Sequence, residues 1–277
     1  MNELHLFAGA GGGILAGQLL GHRCVCAVEF EPYAQAVLVA RQNDGTFPTF
    51  PIWDDVRTFD GKPWRGLVDV VCGGFPCQDI SAAGNGAGID GERSGLWREM
   101  ARIVSEVRPK YVFVENSPLL VGRGLAMVLG DLAELGYDAQ WFRLSASDCG
   151  APHQRDRFWL VANANGVREL QPSIPGKAVG LRAGNGCAHM ADPGRIDEQG
   201  QFTSQPDAQV RSGSQQRSTG PCSHGFGRWP AEPGLGRVVD GMANRSHRLK
   251  AIGNGQVSRV AAAAFSMLAE QGGRVNG

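Results

Sequence analysis

The sequence predicts an α/β fold: a doubly wound, mostly parallel sheet with helices on both faces. Three observations carry this. From Glu3 to about Val161, short apolar runs alternate with segments of helical spacing. The first of these runs opens into a glycine cluster at residues 9–13, the arrangement by which such sheets bring a ligand against a helix N-terminus. Carboxylates stand at two later strand ends, Glu29 and Glu115, on the edge where open α/β sheets place their chemistry.

The elements follow in order. Residues 4–7 form a short strand, and residues 13–20 a helix that begins inside the glycine cluster. Residues 23–28 form a second strand ending at Glu29. Pro32 then opens a helix that runs to Arg41, proline being at home in a first turn. A third short strand lies around Pro51 and Ile52. Residues 67–71 read as a buried strand of a parallel sheet. Residues 94–107 place Leu96, Met100, Ile103, Val104 and Val107 at helical spacing. Residues 111–114 form a buried strand ending at Glu115, and residues 124–135 are helical. Segments 137–144 and 157–161 supply two later strands. Regular structure returns at Arg237, where Ile252-Gly253-Asn254-Gly255 leads into an alanine-rich helix over 257–268.

The chain has 277 residues, enough for one large domain or a domain plus a small insert. Its formal net charge is zero, which argues against binding nucleic acid through a diffuse basic field. A local basic groove remains open: Arg237, Arg245, Arg248, Lys250, Arg259 and Arg274 are opposed near the chain end only by Asp240 and Glu270. Seven cysteines at irregular spacing, with no Cys-x-x-Cys pair, fit neither a disulfide framework nor a structural zinc site. The first residues move straight into a strand-like segment and no apolar run reaches membrane length, so neither a secretory signal nor a membrane span is expected. The expectation is a cytoplasmic protein without a metal.

Gly73-Gly74-Phe75-Pro76-Cys77-Gln78 follows the buried run at 67–71. Proline fixes its own φ and restricts Phe75, so the thiol of Cys77 is aimed by a stiff turn. On this segment alone, a catalytic thiol and a buried structural cysteine are equally good readings. Phe7-Ala8-Gly9-Ala10-Gly11-Gly12-Gly13 joins the first strand to the first helix, and Glu29 stands about 20 residues on, where dinucleotide-type folds bond ribose hydroxyls. Asp54 and Asp55 fit an acceptor for an adenine amino group, and equally a turn or cap. Together these indicate an adenosine-containing cofactor. Glu115, partly desolvated at its strand end, suits a proton donor; a helix start capped by Ser117 is the other reading. Arg155 and Arg157 alternate on a strand and would share a face, with Asp156 opposite, suited to a base oxygen or a phosphate; an exposed charged edge strand would look the same.

As a set, these motifs resemble the cytosine-5 DNA methyltransferases of bacteria and phages. The match is carried by Phe7-Ala8-Gly9 with Gly11-Gly12, Glu29, Asp55-Val56, Gly73 through Gln78, Glu115-Asn116, Arg155-Asp156-Arg157 and Gly253-Asn254, in the family's order. The resemblance implies a Rossmann-like methyltransferase fold with S-adenosylmethionine as methyl donor. It implies a cofactor pocket of Phe7, Ala8, Gly9, Gly11, Gly12, Glu29, Asp55, Val56, Pro76, Leu96 and Asn254. Asn254 would reach that pocket from the start of the C-terminal helix, so the chain end would pack beside the first helix. Cys77 would add to carbon 6 of a flipped-out cytosine, Glu115 would protonate N3, Arg157 would bond the base oxygen, and Arg155 would support it.

The division expected is a catalytic and cofactor-binding domain over 1–162, a target-recognition region over 163–236 poor in core-forming residues, and a returning segment over 237–277. The glycine-bearing stretch 81–92 would close on DNA. Double-stranded DNA is the expected partner, the protein a monomer, and a cognate restriction nuclease is compatible with the family. Transfer RNA as substrate, or a catalytically weak DNA-binding relative, are the competing readings. The chain departs from the family's usual residues at His153, at Ser117 and at Gln256, where a branched apolar residue is common.

Overall fold

The computed structural model describes residues 1–76, 95–164 and 243–274. Within them a seven-stranded sheet is flanked by seven helices. In chain order these are β1 (Asn2–Leu6), α1 (Gly12–Leu19), β2 (Arg23–Val28), α2 (Pro32–Asn43), β3 (Ile52–Trp53) and β4 (Val70–Gly73). Then come α3 (Gly95–Val107), β5 (Tyr111–Asn116), α4 (Leu120–Arg123), α5 (Leu125–Glu134), β6 (Tyr137–Leu144), β7 (Arg157–Ala164), α6 (Arg245–Asn254) and α7 (Ser258–Arg274). The sheet order is β3-β2-β1-β4-β5-β7-β6. Strands β3 through β5 pair in parallel, and β7 runs antiparallel to both of its neighbours.

The period-two alternation of the strands sorts side chains to the two faces. Leu4, Leu6, Val71, Val112, Val114 and Leu160 face one core with α3, α4 and α5. Val70, Cys72, Phe113, Trp159 and Val161 face the other, covered by Ala16 of α1 and by Ala261, Ala262, Ala264, Phe265 and Leu268 of α7. The alanine run explains how α7 fits: small side chains let the helix lie close over the sheet beside α1. Ser258 fastens it there by donating its hydroxyl to the Gly12 carbonyl at 2.8 Å. Packing of α7 beside α1 brings the chain end back to the first helix.

Several boundaries move. The first strand ends at Leu6, and Phe7 turns out of it with φ 54°. The strand read at 67–71 is displaced to Val70–Gly73, because Leu67 is exposed and Asp69 is spent bonding the Asn2 amide. A short helix, α4, precedes the one predicted at 124–135, and Gly124 separates the two. The C-terminal helix begins at Ser258, and Ile252-Gly253-Asn254 belongs to the end of a separate helix, α6. Residues 237–242, where regular structure was expected to resume, and the region 165–236 lie outside the described residues.

The topology has one consequence for function. The C-terminal ends of β1 through β5 form one edge of the sheet, bearing Phe7, Glu29, Asp54, Gly74 and Glu115. Reversal of β7 brings its N-terminal end to that same edge, where Asn116 lies opposite Phe158 and Leu144 opposite Arg157. A parallel β7 would have carried Arg157 to the far edge.

Candidate active site

The loop after β1 is built from left-handed backbone. Phe7, Gly9 and Gly11 have φ of 54°, 55° and 88°. Gly11 has no room for a side chain, since a Cβ there would sit 2.6 Å from the ring of Phe47. Glu29 ties the loop to β2: one carboxylate oxygen accepts the Gly9 amide at 2.6 Å and the other the Glu31 amide at 2.8 Å. The Ala8 amide donates to the Val28 carbonyl at 3.1 Å. Phe30, next in the chain, holds its ring 69% exposed, with the guanidinium of Arg57 5.8 Å from its centroid. The sequence reading passed over Phe30; an aromatic residue directly after a strand-end carboxylate was the available signal.

Asp55 serves the turn. Its carboxylate accepts from the Arg57 amide and grips the Arg57 guanidinium at 2.7 to 3.1 Å. Arg57 accordingly holds the Asp55 carboxyl below the ordinary aspartate range. Asp54 is exposed, and Val56 is buried in the core with Phe59 and Val104. Of the two acids, Asp54 therefore has the open carboxylate on this edge.

At the end of β4 the glycines permit close approach from two sides. A Cβ on Gly73 would sit 2.9 Å from the Met100 sulfur, and one on Gly74 would sit 2.9 Å from Glu115 Oε2. Phe75 is buried against Trp97, and its carbonyl accepts from Asn116 Nδ2 at 3.1 Å. Asn116 Oδ1 accepts in turn from the Ser117 amide at 2.8 Å. One side chain thus binds the turn before Cys77 to the end of β5. Pro76 is exposed at the end of the described turn, and Leu96 is half-buried at the start of α3. Cys77 and the stretch 81–92 lie outside the described residues.

Glu115 is only 9% exposed. Its Oε1 pairs with Arg157 Nε at 2.9 Å. Burial raises its carboxyl above the ordinary range, against the opposing pull of Arg157 and Arg155. Arg157 starts β7 and also donates to the Asp156 carbonyl at 2.8 Å, while Asp156 itself pairs with Arg143. Arg155 departs from the expectation that the two arginines alternate on one strand. It precedes β7, and its Nη2 donates to the carbonyls of Gly253 and Gly255. Asn254, placed by the sequence at a helix start, closes α6 with an exposed side chain. Ser117 does not cap a helix through its side chain in the usual way; its hydroxyl accepts from the Leu119 amide at 3.4 Å.

Among the described residues, Glu3, His5 and Cys72 hold donor atoms within 4.8 Å of one another, close enough to share a cation. The Glu3 carboxylate already accepts from His5 and His22, and burial raises the Cys72 thiol. Of the basic cluster near the chain end, Lys250 pairs with Glu31, and Arg248 donates to the Ala243 carbonyl.

Residues 1–182 match the family model described as C-5 cytosine-specific DNA methylase. The chain is 34% identical over 171 residues to the type II methyltransferase M2.BsuMI of Bacillus subtilis, covering 59% of this chain and 42% of that one. It is 35% identical over 166 residues to M.HhaI of Haemophilus parahaemolyticus, covering 58% and 49%. With M.Eco47II of Escherichia coli it shares 32% identity over 222 residues, covering 76% and 51%. The chain thus spans about half the length of the relatives it matches. Among solved structures, the S. pombe Dnmt2 methyltransferase superposes with a TM-score of 0.50 at 23% identity, covering 60% of this chain and 51% of that one, a likeness of fold. The family model extends from the glycine loop through β7, the whole span that builds the edge described above, and the chain belongs to the C-5 cytosine-specific DNA methylase family.

Proposed function

We propose that the protein transfers a methyl group to carbon 5 of a flipped-out cytosine in a specific duplex DNA sequence. The observation that carries this reading is the Glu115–Arg157 pair: a desolvated carboxyl, held by a guanidinium, on the strand beside the turn that leads to Cys77.

The edge of β1 to β3 suits S-adenosylmethionine. Each oxygen of Glu29 accepts one backbone amide and keeps a lone pair for a ribose hydroxyl. The exposed ring of Phe30 offers a flat face to a base, and Asp54 an open acceptor. Phe7, Ala8, Gly9, Gly11 and Gly12 form the floor, with Pro76, Leu96 and Asn254 at its margins and Asp55 and Val56 shaping the wall. When bound, S-adenosylmethionine supplies an electrophilic methyl group on sulfur.

The chain's own residues act on the base. The Cys77 thiolate adds to carbon 6, and the electrons of the 5,6 double bond make carbon 5 nucleophilic. Glu115 gives its proton to N3 as charge develops there. Arg157, beside Glu115, bonds the base oxygen. Arg155 supports from behind through the α6–α7 junction. Carbon 5 takes the methyl group and gives its proton to water. The released electron pair re-forms the 5,6 double bond and expels the Cys77 thiolate, and N3 returns its proton to Glu115. Residues 163–236 choose the DNA word in this reading, and residues 1–162 with 237–277 form the catalytic body.

The test is transfer of labelled methyl groups from S-adenosylmethionine to duplex DNA and, in parallel, to transfer RNA. Label in DNA cytosine, lost with Cys77→Ala while cofactor binding persists, is the expected result. Label in RNA alone would sink the proposal. Covalent trapping on 5-fluorocytosine DNA checks the adduct, because the fluorine cannot leave as the proton does.

A further inference from the structure

The junction between α6 and α7 is held at three points. Arg155 donates to the carbonyls of Gly253 and Gly255, and the Ser258 hydroxyl donates to the Gly12 carbonyl at 2.8 Å. The Gln256 main chain lies so close to α1 that a Cβ on Gly12 would sit 2.5 Å from the Gln256 carbonyl oxygen. A main chain pinned on both sides aims the side chain between.

That side chain runs through a slot floored by glycines. A Cβ on Gly13 would meet Gln256 Oε1 at 2.9 Å and His5 Nδ1 at 3.3 Å. A Cβ on Gly74 would meet Glu115 Oε2 at 2.9 Å and Gln256 Nε2 at 3.7 Å. One end of the amide therefore lies beside His5. The other shares the space over Gly74 with the Glu115 oxygen opposite the one paired with Arg157. His5 is fixed from behind, its Nε2 bonded to Glu3 at 2.8 Å, while the second Glu3 oxygen bonds His22 at 2.7 Å. A cavity of about 10 Å³ bordered by Glu3, His5, Cys72 and Gln256 has room for about one water between these groups.

We propose that Gln256 is a positioning residue for Glu115: its amide nitrogen, set over Gly74 beside the second carboxyl oxygen and not hydrogen-bonded to it in this structure, packs that oxygen in place and turns an N–H dipole toward it. The role in methyl transfer rests on the reading of Glu115 as proton donor. An N–H donor facing a carboxylate favours the ionised form. In that position the Gln256 amide would work against burial, which raises the Glu115 carboxyl. Among the described residues, the charged groups facing Glu115 are Arg157 and Arg155, and His5 is the titratable group beyond the amide.

The experiment is a ¹³C-carboxyl NMR titration of Glu115 in the protein without substrate, assigned with Glu115→Gln, for wild type, Gln256→Leu and Gln256→Glu. The leucine variant keeps the volume and removes the donor, and the glutamate variant keeps the shape and adds a negative charge. Glu115 titrates about one unit higher in the leucine variant and higher still in the glutamate variant. Unaltered titration in both, with wild-type unfolding profiles, overturns the proposal. In single-turnover methyl transfer the pH profile of Gln256→Leu moves by the same amount, with KM for S-adenosylmethionine unchanged. A loss of rate with an unmoved profile would reduce Gln256 to packing. A wild-type chain that methylates no cytosine while the NMR shifts appear would overturn the functional reading and leave the coupling of Gln256 to Glu115 standing.

Discussion

Glu115 has two oxygens with different neighbours, and the difference decides what the residue can do. Oε1 is held by a guanidinium, while Oε2 lies over a glycine. Burial and charge act on it in opposite directions, and burial prevails. The proton is therefore retained to higher pH than on an ordinary glutamate, which suits donation to a ring nitrogen. Glu115→Gln keeps the shape and removes the proton, and methyl transfer to DNA falls about 100-fold or more. Arg157→Met removes the group that pulls the carboxyl down, so the alkaline limb of the pH–rate profile moves up. An Arg157→Met limb at lower pH, in a rate-against-pH series, would contradict this assignment of charges. The place of Glu115 at a strand end was legible in the sequence, because four apolar residues precede it. Its partner was not, because the chain does not say that β7 reverses.

The elements meet at glycines, and those contacts are specific enough to predict. Gly12 begins α1 directly beneath the main chain of Gln256. Main chain there cannot yield as a flexible side chain would, since Arg155 and Ser258 hold it on both sides. Gly12→Ala consequently separates α1 from α7, at a cost on the order of 1–3 kcal/mol. Urea unfolding measures it, and a variant of unchanged stability would show that the junction slides freely. The sequence pointed to Gly12 for another reason, approach of a ligand. The same glycine cluster serves both a ligand loop and a helix–helix contact, and a contact across 244 residues of chain cannot be read from local pattern. The displaced strand at Val70–Gly73 has the same origin. Leu67 looked like core from its neighbours, yet it is exposed because Asp69 pairs with the start of β1. The sequence places Asn254 at a helix start because the run Ile252-Gly253-Asn254-Gly255 leads into the alanine-rich helix. In the structure α6 runs through Gly253, and Gly255 ends it in extended backbone with φ −70° and ψ 151°.

At the scale of the whole molecule, one buried polar network joins the sheet to its α1–α7 face. Glu3 is buried in β1, yet its carboxylate is ionised because His5 and His22 both bond it. His22 follows α1 and sets its ring edge-on against Phe265 of α7 at 5.4 Å, so the network reaches both helices that cover this face. Desolvation raises the Glu3 carboxyl, and the two histidines more than reverse that, lowering it from 4.5 to about 2. The sign follows from linkage. A carboxyl with a folded value below its unfolded value stabilises the protein fully above the unfolded value. That contribution is lost as pH falls toward the folded one. The window here runs from about 4.5 down to about 2, and the contribution is on the order of 3 kcal/mol. Glu3→Gln removes the charge that the two histidines share and leaves the packing of Gly17 beneath it. Wild type and Glu3→Gln should thus differ most near neutral pH and converge as the buffer is taken from pH 5 to pH 3. Denaturant midpoints measured along that series decide the matter: a difference that stays constant with pH would mean that Glu3 stabilises the sheet by shape rather than by charge.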